Sequence, residues 1–229
     1  MLVRESKAEP EGTVTLDTVV LDVDGTLVDS VYARTLAWKA AFREVGVDVP
    51  SHRIHRAIGM GGDRVVAHLA GDAVAQGVGD EIRRRHNEYF ERLIPEITAT
   101  DGAGELLTLL RERGLHVVVA SSGEPALTSR LLELVDGGPG LVHRIVWGSP
   151  NVRSKPAPDL FHAAVESVGG SEAVVIGDSV WDAQAARAAG LACLAVRTGG
   201  FDDAELLANG ATAVYEDPRE LVKAPELAG

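Results

Sequence analysis

The chain has 229 residues, of which 45% are hydrophobic and 24% charged, so a packed globular protein is expected. The net charge of −12 argues against general nucleic-acid binding, which needs a basic surface, but leaves an anionic small-molecule substrate possible. The single cysteine, Cys193 in GLACLAV, rules out an internal disulfide, and its apolar neighbours predict a buried structural thiol.

The polar start of the chain and the absence of long apolar runs bear on location. The first residues, MLVRESKAEPEGT, contain no apolar signal core. No apolar run approaches the length that crosses a membrane. We therefore expect a cytoplasmic protein with no membrane partner.

The first predicted elements are one strand and then a block of helices. Residues 16–23 contain TVVLDV, a β-branched and almost continuously apolar run that is typical of a parallel strand covered on both faces. Residues 30–98 favour helices, the first of which ends at Gly46 as a C-terminal cap. A glycine-rich break, GMGG, precedes Asp63, the predicted N-cap of the next helix, and a further amphipathic helix stops at Pro95.

From residue 100 onward, predicted strands and helices alternate. The strands are LHVVVASS, HRIVWG, AVVIGDS and LACLAV, with a short TAVYED last. This alternation predicts an α/β fold, in which a Rossmann-like parallel sheet carries helices on both faces. The first strand has no partner before the helical block, so that block is interpreted as an insertion. We expect a core of residues 1–30 and 99–229 and an all-helical cap of residues 31–98.

Three of the predicted strands end in residues that can carry chemistry. Ligands of open parallel sheets bind beyond the carboxyl ends of the strands, so we expect these groups to meet at one edge. The residues are Asp22 and Asp24 after the first strand, Ser121 and Ser122 after the second, Asp178 and Asp182 after the fourth, and Lys155 in the loop GSPNVRSKPAPD.

Carboxylates placed this close repel one another, and without a cation their pKa values would shift sharply. Mg²⁺ prefers oxygen ligands and is typically held by one or two carboxylates plus substrate phosphate, so the pattern predicts a magnesium site. Asp22 and Asp24 point the same way along a strand, so one can attack phosphorus while the other exchanges protons. A hydroxyl and an ammonium group can bind the phosphoryl oxygens.

Four segments occur in a fixed order between residues 19 and 182: DVDGTLVDS, VVVASS, SKPAPD and IGDSVWD. Together they resemble the haloacid dehalogenase superfamily, in the phosphatase branch that has a helical cap inserted after the first segment. The resemblance implies Mg²⁺-dependent hydrolysis of a small phosphorylated metabolite through an aspartyl-phosphate. Asp24 supports phosphoryl transfer, because the dehalogenases of this superfamily lack an aspartate at its position.

The resemblance also implies catalytic roles by position. Asp22 would be the nucleophile, and Asp24 the general acid and base. Ser121 would hold the phosphoryl group, and Lys155 would neutralise its charge.

The metal ligands and the cap follow from the same resemblance. Asp178 would bind Mg²⁺ together with Asp22 and the backbone carbonyl of Asp24. Asp182 would support the metal site through water. Residues 31–98 would be a mobile cap that closes over the substrate and excludes water.

Four further residues are expected to contact the substrate. Ser122 and Gly123 follow the predicted phosphate-binding serine. Arg56 and Arg64 flank the GMGG break, and guanidinium groups suit oxyanions. The alternative for this region is a solvated basic helix face. No pattern in the sequence assigns the substrate or an oligomeric state.

Other interpretations of the same residues stay open. A phosphomutase of the β-phosphoglucomutase type shares the cap segment AWKA, although Arg34 stands where that branch has a histidine. A phospho-accepting signalling receiver also gathers aspartates, a hydroxyl and a lysine, but it lacks a long helical insertion. In purely structural roles, the serines after the second strand would cap the helix near Pro125, and Asp178 and Asp182 would begin a helix.

Overall fold

The centre of the protein is a six-stranded parallel sheet, seen in a computed structural model that describes residues 15–149 and 151–227. Its strands lie in the order β3-β2-β1-β4-β5-β6, so β1 is central, and every neighbouring pair is parallel. This confirms the predicted α/β fold with a Rossmann-like sheet. The strands are Thr18–Leu21 (β1), His116–Ser121 (β2), Arg144–Trp147 (β3), Ala173–Gly177 (β4), Ala192–Val196 (β5) and Ala213–Tyr215 (β6).

Helices account for most of the remaining described chain. None of the described helices is both long and apolar enough to cross a membrane. The α-helices are Val31–Glu44 (α1), Ser51–Ala57 (α2), Gly62–Ala70 (α3), Asp72–Leu93 (α4), Ala103–Glu112 (α5), Pro125–Leu132 (α6), Gly138–Leu141 (α7), Asp159–Glu166 (α8), Val180–Ala189 (α9), Asp203–Asn209 (α10) and Pro218–Leu221 (α11).

The central strand β1 is buried on both faces, as its continuous apolar run predicts. Val19 and Leu21 join an apolar cluster on one side of the sheet, and Val20 joins a second cluster that includes Phe161 of α8. Because alternate side chains point to opposite faces, one short strand holds two helical layers in place. Cys193 of β5 is buried in the second cluster, where a structural thiol was expected.

Helices α1 to α4 form an all-helical unit between β1 and β2 with an apolar cluster of its own. Trp38 and Phe42 of α1 pack there with Ile54 of α2, Val66 of α3 and Ile82 of α4. The division into a core of residues 1–30 and 99–229 and a cap of residues 31–98 stays a prediction. Residues 1–14 and 228–229 of that division lie outside the described residues.

Two helix starts differ from the sequence-based predictions. Helix α3 begins at Gly62 with Gly61 at the N-cap position, so Asp63 lies in the first turn. Asp63 does not cap the helix, because its Oδ1 accepts a hydrogen bond of 2.6 Å from Ser154 Oγ in the loop before α8. Helix α4 begins at Asp72, earlier than the amphipathic pattern indicates, and continues to the residue before the Ile94-Pro95 pair.

Candidate active site

The chain turns sharply after β1 and brings Asp22 against the end of β4. Gly25 has a φ of +80°, and a Cβ atom there would lie 2.2 Å from Asp178 Oδ2. A Cβ atom on Gly199, in the loop after β5, would lie 2.1 Å from the same oxygen. Only glycine fits at either position, because the backbone at Gly25 and the backbone at Gly199 both pack directly against the Asp178 carboxylate. We call these two positions the glycine cradle.

Three buried carboxylates converge at the carboxyl ends of β1 and β4. Asp22, Asp178 and Asp182 each offer one oxygen, and these oxygens lie within 4.8 Å of one another. Burial, reinforced by the neighbouring carboxylates, raises the pKa of Asp22 to about 7 and the pKa of Asp178 well above its ordinary value. The residues around the cluster therefore do not fully compensate the negative charge that its three carboxylates would carry.

Lys155 is the cation buried among these carboxylates, and only 1% of the residue is exposed. Its Nζ lies 2.8 Å from Asp22 Oδ1 and 2.8 Å from Asp182 Oδ1. Burial alone would lower the pKa of Lys155, but the attraction of Asp182 and Asp22 outweighs it and raises that pKa. One ammonium group faces three carboxylates, which leaves the site with unbalanced negative charge.

Asp182 has a structural role as well. It is the third residue of α9 and forms a capping box with Ser179, whose backbone N–H donates to Asp182 Oδ2 at 3.2 Å. The helix-start interpretation therefore holds for Asp182. Asp178 instead precedes the N-cap, and its Oδ1 accepts a hydrogen bond of 3.3 Å from Thr26 Oγ1.

The donor set at this edge fits Mg²⁺. Asp22 and Asp178 supply buried carboxylate oxygens, and the single charge of Lys155 does not balance the cluster. The glycine cradle around Asp178 keeps other side chains away from its Oδ2. Hard oxygen ligands with excess negative charge are the combination that a divalent cation stabilises.

Asp24 lies outside the three-carboxylate group and has different partners. Its Oδ1 accepts hydrogen bonds from Ser30 Oγ and from Arg34 Nε, the latter at 2.7 Å. Burial raises the pKa of Asp24, but Arg34 and Ser30 outweigh burial, so its pKa lies below the ordinary value. The pKa values of Asp22 and Asp24 thus move in opposite directions in the metal-free protein, which favours the protonated form of Asp22 and the ionised form of Asp24 there.

The segment after β2 places polar groups beside the carboxylates. Ser121 Oγ accepts the backbone N–H of Gly123 at 3.0 Å and lies 3.0 Å from Thr128 Oγ1. Ser122 Oγ is buried and has no hydrogen-bond partner among the described residues. The N-cap of α6 is Glu124, so the alternative in which these serines cap the helix is wrong.

A cavity of about 520 Å³ lies between the sheet edge and helices α1 to α4. Asp22, Asp24 and Lys155 line it on the sheet side, with Ser122 and Gly123 after β2. The GMGG segment forms part of the opposite wall. The structure therefore brings five of the predicted site residues to one cavity, with Ser121, Asp178 and Asp182 buried outside its lining. The roles assigned to all of them stay predictions.

The two predicted substrate-binding arginines do not line this cavity. Arg56 forms an ion pair with Glu205 and lies 4.2 Å above the Phe201 ring. Arg64 is half-buried near the start of α3. Their contact with substrate stays a prediction.

Sequence reasoning missed a polar wall contributed by α1 and α4. Arg34 of α1 and Arg83, His86 and Asn87 of α4 all line the cavity. The last three occur at positions i, i+3 and i+4, so they share one face of α4. This spacing is visible in the sequence, but only the tertiary structure shows that this face of α4 is the one directed toward the cavity.

Comparison with known proteins identifies similar sequences over most of the chain. A family model for haloacid dehalogenase-like hydrolases matches residues 16–190. A phosphoglycolate phosphatase of Pseudomonas savastanoi pv. phaseolicola is 30% identical over 89% of this chain and 78% of its own length. A β-phosphoglucomutase of Bacillus subtilis is 25% identical over 79% of this chain and 83% of its own length.

Two further similarities concern a longer protein and a solved structure. The chloroplastic protein SUPPRESSOR OF QUENCHING 1 of Arabidopsis thaliana is 30% identical over 79% of this chain, which spans only 18% of that protein. The crystal structure of a hydrolase from Pseudomonas syringae superposes with a TM-score of 0.85 and 34% identity, covering 90% of this chain and 96% of that one. These similarities confirm the resemblance inferred from the four sequence segments.

Proposed function

We propose, from the premise that this chain belongs to the haloacid dehalogenase-like hydrolase family, that it is a Mg²⁺-dependent phosphatase of small phosphomonoesters. One observation carries the proposal: Asp22, Lys155 and Asp24 face a single enclosed cavity, with the Asp178 carboxylate buried beside them. A nucleophile, a cation and a proton-exchanging group are the parts that phosphoryl transfer through a covalent intermediate needs.

In the proposed first step, Asp22 attacks phosphorus. Lys155 holds Asp22 Oδ1, which leaves Oδ2 as the attacking oxygen. The bond from phosphorus to the ester oxygen breaks, and Asp24 donates a proton to that oxygen, so the alcohol leaves neutral. This step requires Asp24 to have bound a proton beforehand, against the preference of the Arg34 ion pair for its ionised form. The product on the protein is an aspartyl-phosphate at Asp22.

In the second step, the Asp24 carboxylate takes a proton from water as the water oxygen attacks phosphorus. The bond between phosphorus and Asp22 breaks, which releases inorganic phosphate and restores both aspartates. Lys155 is suited to bind the phosphoryl oxygens during transfer. Ser121 and Gly123, which are hydrogen-bonded to each other in this structure, would exchange that bond for bonds to the phosphoryl group. Asp22, Asp178 and the backbone carbonyl of Asp24 would hold Mg²⁺, which when bound neutralises charge on the phosphoryl oxygens.

The proposal is tested by removing the attacking group. Asp22→Asn keeps the size of the side chain but removes its nucleophilic carboxylate, so kcat for phosphate release should fall by about 10³-fold or more. Asp29→Asn is the matched control, because Asp29 is exposed on the same segment and outside the cavity lining. Phosphate release by Asp22→Asn at a rate near that of the parent chain would overturn the assignment.

A phosphomutase is the second candidate, favoured by the similarity to a β-phosphoglucomutase. The two candidates differ in the acceptor of the phosphoryl group, which is water for a phosphatase and a second sugar hydroxyl for a mutase. Incubation with a hexose 1-phosphate separates them: accumulation of inorganic phosphate supports the phosphatase, and accumulation of the isomeric hexose phosphate supports the mutase.

A further inference from the structure

Two side-chain nitrogens on the helical wall of the cavity are buried without hydrogen-bond partners. They are Arg34 Nη2 and His86 Nε2, and no described residue pairs with either atom. Arg34 is 6% exposed and His86 is 4% exposed, and both residues line the cavity. Buried polar atoms are nearly always paired, so two unpaired nitrogens on residues that line the cavity raise the question of which group pairs with them when substrate is bound.

The guanidinium of Arg34 is fixed by its other contacts. Its Nε donates to Asp24 Oδ1 at 2.7 Å, and its Cζ lies 3.8 Å from the centre of the Phe90 ring. Nε and Nη2 are donors on the same planar group, so Nη2 lies directly beside the carboxylate that is proposed to meet the leaving oxygen. A group bound by Nη2 would therefore sit close to the ester oxygen.

His86 supplies the complementary atom. Its Nδ1 lies 3.0 Å from Asn87 Oδ1, and on that contact we assign the ring hydrogen to Nδ1 and the lone pair to Nε2. The ring stacks on Trp38 at 4.0 Å and on Phe90 at 5.9 Å, which fixes its orientation. Burial and the nearby charge of Arg34 lower the pKa of His86 to about 3, so the ring stays neutral.

We propose that Arg34 and His86 form a subsite for a hydroxyl on the carbon next to the phosphate-bearing carbon, so that the substrate is the phosphomonoester of a vicinal diol. A hydroxyl accepts from Arg34 Nη2 and donates to His86 Nε2, which satisfies both atoms. A carboxylate accepts from Arg34 but faces the lone pair of His86 with no proton to share. Polyol phosphates and hexose 1-phosphates have the required ester and neighbouring hydroxyl, and phosphoglycolate does not.

The inference rests on the proposed phosphatase function, and one substrate series tests the two separately. With Mg²⁺ present, kcat/KM is measured for 2-hydroxyethyl phosphate, ethyl phosphate and 2-phosphoglycolate, which differ in the group at the second carbon. We expect the hydroxyl compound to be preferred over each of the others by about tenfold or more, because the lost partner leaves buried polar atoms unpaired. Phosphate release without that preference overturns the subsite alone, and no release from any phosphomonoester overturns the phosphatase.

His86→Phe then tests the assignment to residues. Phenylalanine keeps the stack with Trp38 and Phe90 but removes Nε2, so the preference for the hydroxyl compound should fall by about tenfold. His162→Phe is the matched control, because His162 is exposed on α8 outside the cavity lining. An unchanged preference in His86→Phe overturns the assignment. If that variant does not fold, the substrate series in the unaltered chain still decides.

Discussion

Arg34 Nε donates a hydrogen bond of 2.7 Å to Asp24 Oδ1, and this contact ties the first inserted helix to the aspartate proposed to exchange protons. Arg34, which stands where the β-phosphoglucomutase branch has a histidine, is therefore a direct partner of a predicted catalytic residue. It lowers the pKa of Asp24 against the effect of burial, and its buried Nη2 has no hydrogen-bond partner in the part of the chain that the structure describes. Arg34 thus connects the chemistry of the sheet edge with the wall of α1 and α4.

Loss of the Arg34 charge should destabilise the fold in a pH-dependent way. Arg34→Met leaves Asp24 buried without its cation, so the free energy of unfolding at neutral pH should fall by about 3 kcal/mol. The folded-state pKa of Asp24 is lowered, so the pair stabilises the fold above the ordinary aspartate pKa, and this contribution is lost as pH falls through the folded pKa. Urea unfolding should therefore show a difference in the free energy of unfolding between variant and parent, and this difference should become smaller from neutral toward acid pH.

Arg34→Lys keeps a positive charge at the same place and is the matched control for that experiment. We expect it to recover part of the stability, since the charge remains while the planar geometry is lost. If the stability difference between Arg34→Met and the parent stays constant across the pH range, the role assigned to the Arg34–Asp24 ion pair is contradicted.

Mg²⁺ should stabilise the protein more at alkaline pH than at acid pH. The pKa of Asp22 is raised to about 7 and that of Asp178 is also raised, so without metal the folded state binds more protons than the unfolded state. The stability of the metal-free protein should therefore fall as pH rises from about 4 to about 7. Excess Mg²⁺ should raise Tm by about 5 °C or more near pH 8 and by less near pH 5, where protons compete.

Asp178→Asn provides the control for the magnesium experiment. It removes one buried charge, so the metal-free variant should be less sensitive to alkaline pH than the parent chain. Its Tm should respond little to Mg²⁺ at either pH. Equal Mg²⁺ shifts in the parent near pH 5 and pH 8 would count against a site built on these carboxylates.

The sheet and the carboxylates at its edge were predictable, because they follow from local signals and one packing rule. Strand β1 is continuously apolar, and the carboxyl ends of parallel strands share one edge. The meeting of Asp22 and Asp178 therefore required no knowledge of loop conformations, whereas Lys155 reaches Asp22 from the loop before α8. The structure also places the loop at Gly199 against Asp178.

The partners of Asp24 and the polar wall of α4 were not predictable in the same way. Whether His86 faces solvent, core or cavity depends on how α4 packs on α1, which helical periodicity does not specify. Asp63 illustrates the same limit, since local propensity favours an N-cap but a long-range bond to Ser154 decides its position. Contacts between distant segments override local preference at both places.

Removal of the buried ammonium group should damage both stability and turnover. Lys155→Met leaves Asp22 and Asp182 without their shared cation, so the free energy of unfolding should fall by about 3 kcal/mol or more. Phosphate release should also decrease, because the nucleophile loses the contact that orients it. Lys223→Met at an exposed position is the control and should change stability by about 0.5 kcal/mol or less. Equal stability of the two variants would contradict the buried-pair description.

A single methyl group at Gly199 should disturb the glycine cradle around Asp178. The Cβ atom of Gly199→Ala would lie 2.1 Å from Asp178 Oδ2 and 2.5 Å from its backbone oxygen, so Asp178 must move. We expect a weaker response of Tm to Mg²⁺ and a kcat for phosphate release reduced by about tenfold or more. Both are measured on the purified variant, with circular dichroism to establish that the secondary structure is retained.

Gly77→Ala is the matched glycine control, because Gly77 lies in α4 and a Cβ atom there would point into open space. It should leave kcat and the Mg²⁺ response unchanged while raising the free energy of unfolding by about 0.5 to 1 kcal/mol, as alanine favours a helix over glycine. If Gly199→Ala behaves like Gly77→Ala in activity and Mg²⁺ response, the backbone at Gly199 does not constrain Asp178, and the loop after β5 has no part in the site.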